Sequence, residues 1–268
     1  MADLGAVKER QQQMWGTANY ASVGTRIMLV SELLCEAVDL QGGERVLDVA
    51  CGNGNTALAA SRRFADVVGV DYQPRLLEQA RERAAVEGLL ISFDEADAED
   101  LPFGDDSFDV VLSTCGVMFA PDQQRAADEL VRVCRPGGRI GMVNWTPSSW
   151  VAEVGRTVGR YVPPPQGVAA PVLWGDHDHL ASLLGDRVSL VAPTREFLFR
   201  FASAQQHVDY FSENYPPIVA ALGQLDEQSR GQLREDLREL AERMNVASDR
   251  SRLVLPLEYL EVVATLRD

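Results

Sequence analysis

The chain has 268 residues, 46% hydrophobic and 24% charged, an ordinary globular composition that excludes collagen-like, low-complexity and disulfide-scaffold chains. Its 25 basic against 40 acidic residues leave a formal net charge of -15, which disfavours phosphate backbones and predicts no nucleic-acid partner. No apolar run is long enough to cross a bilayer and residues 1–13 are polar, which predicts a cytoplasmic protein with no membrane partner. Cys35, Cys51, Cys115 and Cys134 show no paired spacing and are expected to be reduced and packed. Lys8 is the single lysine, a skew towards arginine that the sequence ties to no mechanism.

Residues 1–40 are expected to be helical, because Ile27, Val30, Leu33, Leu34 and Val38 recur at three- and four-residue spacing. The period then changes. Short apolar runs at 45–50, 67–70, 90–93, 108–113 and 139–144 predict buried strands, and helical stretches at 56–64, 74–88 and 121–134 lie between them. Strand–helix alternation implies a parallel sheet covered on both faces, whose ligands bind at the carboxyl ends of the strands. Residues 147–185 are rich in Pro, Gly and Trp and look loose; 188–201 and 252–266 look extended, with helices over 204–245 between them. The expected organisation is therefore residues 1–40 as a helical lid, 41–146 as a doubly wound Rossmann-like core, and 147–268 as cap helices with closing strands.

The central feature is Val46-Leu47-Asp48-Val49-Ala50-Cys51-Gly52-Asn53-Gly54, a strand running into a glycine turn and then a helix. Gly52 and Gly54 allow a ligand close to the backbone, and the helix N-terminus favours an anionic group. Gly52, Gly54 and Ala57 also fit a dinucleotide fingerprint. Three acids argue for a different ligand. Asp48, just before the turn, would repel a pyrophosphate and attract a cation. Asp71 ends the second strand, where an acid takes ribose hydroxyls. Asp97 follows the third, where a carboxylate can accept from an adenine amino group. The set suits a ligand with an adenosine half and a cationic half.

These segments, with Val68-Gly69-Val70-Asp71, Asp97–Phe103, Ser107–Val111 and Glu129–Gly138, resemble the class I S-adenosylmethionine-dependent methyltransferases, in the subgroup of the ubiquinone and menaquinone biosynthesis enzymes. The resemblance covers about residues 40–145. It implies a seven-stranded, mostly parallel sheet, an N-terminal helical lid and a helical cap inserted in the C-terminal part. It also implies S-adenosylmethionine as cofactor and methyl transfer to a small-molecule acceptor. Gly52 and Gly54 would then lie under the methionine half and Asp48 would orient its ammonium. Asp71 would hold the ribose, Tyr72 the adenine face, and Asp97 with Ala98 the adenine amino edge. Cys115 would floor the sulfonium, and Tyr20 on the N-terminal helices would close the methionine end. Ala50 stands where the family has glycine, which should tighten packing without loss of binding.

No catalytic residue is singled out, since in-line transfer needs positioning more than a base. Trp174–His179 superficially resembles a metal cluster but is expected to be a solvated loop, with no metal bound. Gly116–Phe119 suits an apolar or aromatic acceptor, and Trp145, Trp150, Tyr161, Trp174, Tyr210, Phe211 and Tyr215 are candidate pocket walls, about half of them expected to be plain core. Asp71→Ala is expected to weaken cofactor binding far more than it lowers stability. The alternatives are an NAD(P)-dependent oxidoreductase, or a non-methylating S-adenosylmethionine-binding cyclase or regulator. Oligomeric state and acceptor identity are not readable.

Overall fold

The computed structural model describes residues 3–267. Three N-terminal helices, α1 (Leu4–Trp15), α2 (Tyr20–Gly24) and α3 (Met28–Ala37), precede an alternating core of β1 (Arg45–Val49), α4 (Asn55–Ser61), β2 (Asp66–Asp71), α5 (Pro74–Glu87), β3 (Ile91–Glu95), β4 (Phe108–Thr114), α6 (Gln123–Val133) and β5 (Cys134–Trp145). The remainder is α7 (Trp150–Gly159), α8 (His177–Leu184), β6 (Val188–Val191), β7 (Thr194–Phe201), α9 (Ala204–Asn214), α10 (Pro216–Gln224), α11 (Glu227–Met244) and β8 (Leu253–Leu266).

Helix boundaries follow short polar side chains. Asp122, Ser149, Asp176, Ser203 and Asp226 each accept a hydrogen bond from the backbone N–H three residues on, which supplies one of the orphan donors of a helix start. Pro74 opens α5, and Gly88, in the left-handed conformation, closes it. The capped helix α8 carries His177 and His179, so this stretch is not the loop expected from its composition. Asp176 caps it, and His179 Nε2 meets Gln123 Oε1 at 2.7 Å.

The sheet runs β3-β2-β1-β4-β5-β8-β6, with β7 also on β8. β8 is antiparallel to β5, β6 and β7, and the ladders from β3 to β5 are parallel, so seven of the eight strands run the same way. The expected seventh strand over 188–201 is two segments. Both lie along the side of β8 opposite β5, and they separate at Pro193, which has no N–H to give a ladder. The sheet thus has seven positions and eight strands. Pro136-Gly137-Gly138 does not precede β5 but lies within it, where the register against β4 shifts. The central strands β1 and β4 are buried over nearly their whole length, whereas edge strand β3 buries only Phe93.

All four cysteines are free and buried. The loose stretch after β5 still packs: Trp150 and Trp174 are among the largest fully enclosed side chains.

Gly54 is fixed by geometry. Its φ is +84°, and a Cβ there would sit 2.9 Å from Leu58 Cδ1 and 3.0 Å from Ala80 Cβ. Gly54→Ala should therefore lose about 2–4 kcal/mol, combining a left-handed backbone with overpacking, read as a lowered urea midpoint. An unchanged midpoint would contradict this account of the turn.

Candidate functional site

β1 ends in a turn in which Ala50, Gly52 and Gly54 all have positive φ. Asp71, at the end of β2, reaches across it. One carboxylate oxygen accepts from the Gly52 N–H at 2.8 Å and the other from the Gln73 N–H at 2.8 Å. Asp48 stabilises the other side. Gly54 occupies the N-cap position of α4 with no side chain to offer, and Asp48 Oδ2 accepts the Ala57 N–H at 2.8 Å instead. Asp48 Oδ1 is buried with no partner.

Both carboxyls are almost fully enclosed. Burial pushes Asp71 up to about 6 against the pull of its backbone donors, and pushes Asp48 upward as well, with the Asp71 charge adding to the shift. Two acids in a space with no basic side chain among its described lining residues make a site that gains from a cation.

That space is a cavity of about 610 Å³ including its open mouth, at the carboxyl ends of β1, β2 and β4. Of the sequence-predicted residues, Tyr20, Asp48, Ala50, Gly52, Asp71, Tyr72 and Cys115 line it. Asp97 and Ala98 line a second cavity of about 400 Å³, which shares Ala50, Tyr72, Gly116 and Phe119 with the first. Gly54 lines neither and faces Leu58, Ala80 and Phe93.

Ala50 and Cys115 end adjacent strands with φ of +53° and +54°, costly for side chains with a Cβ. The methyl of Ala50 is accommodated by Gly116. A Cβ on Gly116 would lie 2.8 Å from Ala50 Cβ and 2.5 Å from its carbonyl oxygen. Tighter packing at Ala50 thus takes a specific form, an alanine facing a residue that must be glycine.

Several contributors were not among the site residues expected from sequence. Trp15 on α1 lines the larger cavity and meets Tyr20 and Phe119 edge-on at 5.1 and 5.0 Å. Ser31, Thr56 and Thr114 form a hydroxyl chain in its wall, with Thr56 Oγ1 3.1 Å from Ser31 Oγ and 2.8 Å from Thr114 Oγ1. Lys8, which the sequence tied to nothing, pairs with Asp97 and with Glu99, the latter at 2.6 Å. Conversely, none of the seven aromatics offered as pocket walls lines either cavity. Trp150, Trp174 and Phe211 are core, and Tyr161 donates to Asp236 at 2.7 Å.

A methyltransferase-domain family model matches residues 47–142, which contain the turn and all three acids. An uncharacterized protein of Mycobacterium tuberculosis is 40% identical over 95% of this chain and 93% of its own length. Methyltransferase GfsG of Streptomyces halstedii is 40% identical over 46% of this chain and 45% of its own. Demethylmenaquinone methyltransferase of Clavibacter sepedonicus is 43% identical over 39% and 42%. Among solved structures, the YcgJ protein from Bacillus subtilis superposes with a TM-score of 0.61 at 20% identity, covering 89% of this chain and 98% of that one. The [4+2]-cyclase SpnF gives 0.55 at 19%, covering 90% and 81%.

The chain belongs to the class I S-adenosylmethionine-dependent methyltransferases. The residues present fit the cofactor of this family. Asp48 Oδ1 is an orphaned buried acceptor where an ammonium would be satisfied, and Asp71 keeps a free lone pair on each oxygen for hydroxyl donors.

In this methyltransferase Asp71 is also part of the fold, which corrects the expectation for Asp71→Ala. Truncation would orphan two buried N–H groups at about 1–3 kcal/mol each, so stability falls along with binding. The carboxyl has a pH signature of its own. Its folded value is raised, so its contribution to stability is full below about pH 4 and is lost as pH rises through about 6, a loss of roughly 3 kcal/mol. A ligand donating hydroxyls to the ionised form shifts this balance. S-adenosylhomocysteine should bind about tenfold more weakly at pH 5 than at pH 7, measured by calorimetry at constant ionic strength. A flat profile would remove Asp71 from the ligand.

Proposed function

We propose that the protein methylates a small-molecule acceptor with an apolar or aromatic body, using S-adenosylmethionine held by Tyr20, Asp48, Ala50, Gly52, Asp71, Tyr72, Asp97, Ala98 and Cys115, with Gly54 shaping the turn. The observation that carries this reading is the pair of buried carboxylates, Asp48 and Asp71, in a cavity that has no basic side chain among the described residues lining it. A pyrophosphate there would meet two acidic side chains and no basic one, which disfavours a nicotinamide dinucleotide.

The bound cofactor would supply a methyl group already activated on a sulfonium. The residues of this chain bind, align and exclude water. Asp48 Oδ1 would face the ammonium, Asp71 the ribose hydroxyls, Tyr72 the adenine, and Asp97 with Ala98 its amino edge. Trp15, Tyr20 and Phe119 present aromatic edges beside Cys115, a wall suited to a flat or apolar acceptor. Burial pushes the Tyr20 phenol and the Cys115 thiol well up, so neither takes a proton or attacks at neutral pH. Rate enhancement then comes from holding the acceptor in line, a contribution of about 7–11 kcal/mol in favourable cases.

On this reading residues 1–40 act as a lid, 41–146 as the cofactor core and 147–268 as the acceptor cap with closing strands. The similarity to a demethylmenaquinone methyltransferase over 39% of this chain supports an aromatic acceptor. No helix among the described residues is long and apolar enough to cross a membrane.

The test is calorimetry with S-adenosylhomocysteine and with NAD, followed by transfer of labelled methyl to a panel of aromatic acceptors. Binding of the first alone, followed by a labelled product, is expected; heat with NAD alone overturns the reading. Cofactor binding with no product from any acceptor would point to the non-methylating alternative. Asp48→Asn keeps the oxygen that caps Ala57 and removes the buried charge. Its ligand-free melting temperature should hold or rise while affinity for S-adenosylhomocysteine falls at least about tenfold. Unchanged affinity would remove Asp48 from the ligand.

A further inference from the structure

The smaller cavity has apolar walls, with Ala96, Ala98, Val117 and Phe119 among them. Its charged lining side chains are Lys8 and Asp97. Lys8 is set in place from several directions. α1 is fastened by the Gln12 side chain donating to the Tyr72 carbonyl, by Gln73 Nε2 donating to the Gln12 carbonyl at 2.6 Å, and by Arg75 donating to the Gly16 carbonyl at 3.1 Å. Its ammonium bonds Asp97 and Glu99. Glu99 is itself fixed: it is 3% exposed, and its other oxygen accepts the Asp122 N–H at 2.8 Å. Asp97 is held by the Glu99 N–H at 2.9 Å.

An ammonium has three protons. Two go to these carboxylates, and because Lys8 lines the cavity the third is available to an occupant. The rim therefore presents an acceptor, Asp97, beside a donor, Lys8. That order complements the edge of adenine, where an exocyclic amino donor adjoins a ring-nitrogen acceptor. It opposes hypoxanthine, whose keto oxygen would face the Asp97 carboxylate.

We propose that Lys8 is a base-reading residue: together with Asp97 it selects adenine over 6-oxopurines by donating to a ring nitrogen while Asp97 accepts from the amino group. This rests on the reading of the cavities as an S-adenosylmethionine site. Lys8 is thereby a specificity determinant carried on the N-terminal helix, outside the strand-end motifs of the core.

Calorimetry on the full chain tests it, with S-adenosylhomocysteine and its inosine analogue as probes. The unaltered protein should prefer the adenine ligand by at least about tenfold. Lys8→Met should weaken the adenine ligand about tenfold and leave the inosine ligand nearly unchanged, so the preference collapses; Lys8→Arg, which keeps the charge, should restore part of it. Should Lys8→Met fail to melt cooperatively, Lys8→Gln carries the same comparison. Equal weakening of both ligands would mean that Lys8 only fastens α1, and no change in either would mean that it does nothing for the ligand; each overturns the proposal. Failure of the unaltered protein to bind either ligand would instead overturn the cofactor reading beneath it.

Discussion

The constraint on which the site depends is the burial of two carboxylates around one glycine turn. Asp71 and Asp48 together satisfy three backbone N–H groups, at Gly52, Gln73 and Ala57, and so fix the path of the chain from β1 into α4. Both are held at an electrostatic cost, because each is enclosed and Asp48 also feels the Asp71 charge. A cation in the cavity would offset that cost. The fold thus holds unrelieved charge at this turn, which on the proposed reading is what a cationic ligand would meet.

The strained backbone beside them follows the same logic. Ala50 and Cys115 turn the chain at the ends of β1 and β4 with positive φ, and Gly116 leaves room for the Ala50 methyl. Such conformations persist only where the surroundings over-determine them. Here the surroundings are the parallel ladders of β1 with β4 and of β4 with β5, whose interiors are buried.

How much of this was legible in sequence depended on the range of the interaction. Strands and helices of the core were readable because their periods are local and their caps and stops are single residues such as Asp122, Pro74 and Gly88. The acids at 48, 71 and 97 were readable because strand ends in an alternating fold converge, so position along the chain stands in for position in space. The aromatic walls were readable only in part: Tyr20, Tyr72 and Phe119 line the cavities as the sequence suggested, whereas the seven other aromatics offered line neither. Trp150 and Trp15 are both large and apolar, and only the three-dimensional path decides that one is enclosed in the core and the other faces the cavity. Lys8 was illegible for the same reason: it lies 89 residues from Asp97, and no local pattern announces that pair. Gly54 was read as a point of ligand approach, but it lines neither cavity, and its positive φ together with packing against Leu58 and Ala80 accounts for the missing Cβ.

The fourteen residues of β8 carry a consequence for how the molecule is assembled. This strand follows the other seven in the chain, yet it sits between β5 and the β6–β7 edge and forms the longest ladders in the sheet. Until it arrives, two open strand borders face solvent with no hydrogen-bond partner, the situation in which nascent chains pair wrongly with one another. Completion therefore waits on contacts between distant parts of the chain, which makes folding slow. During synthesis the half-built sheet is the state in which this protein is most exposed to self-association.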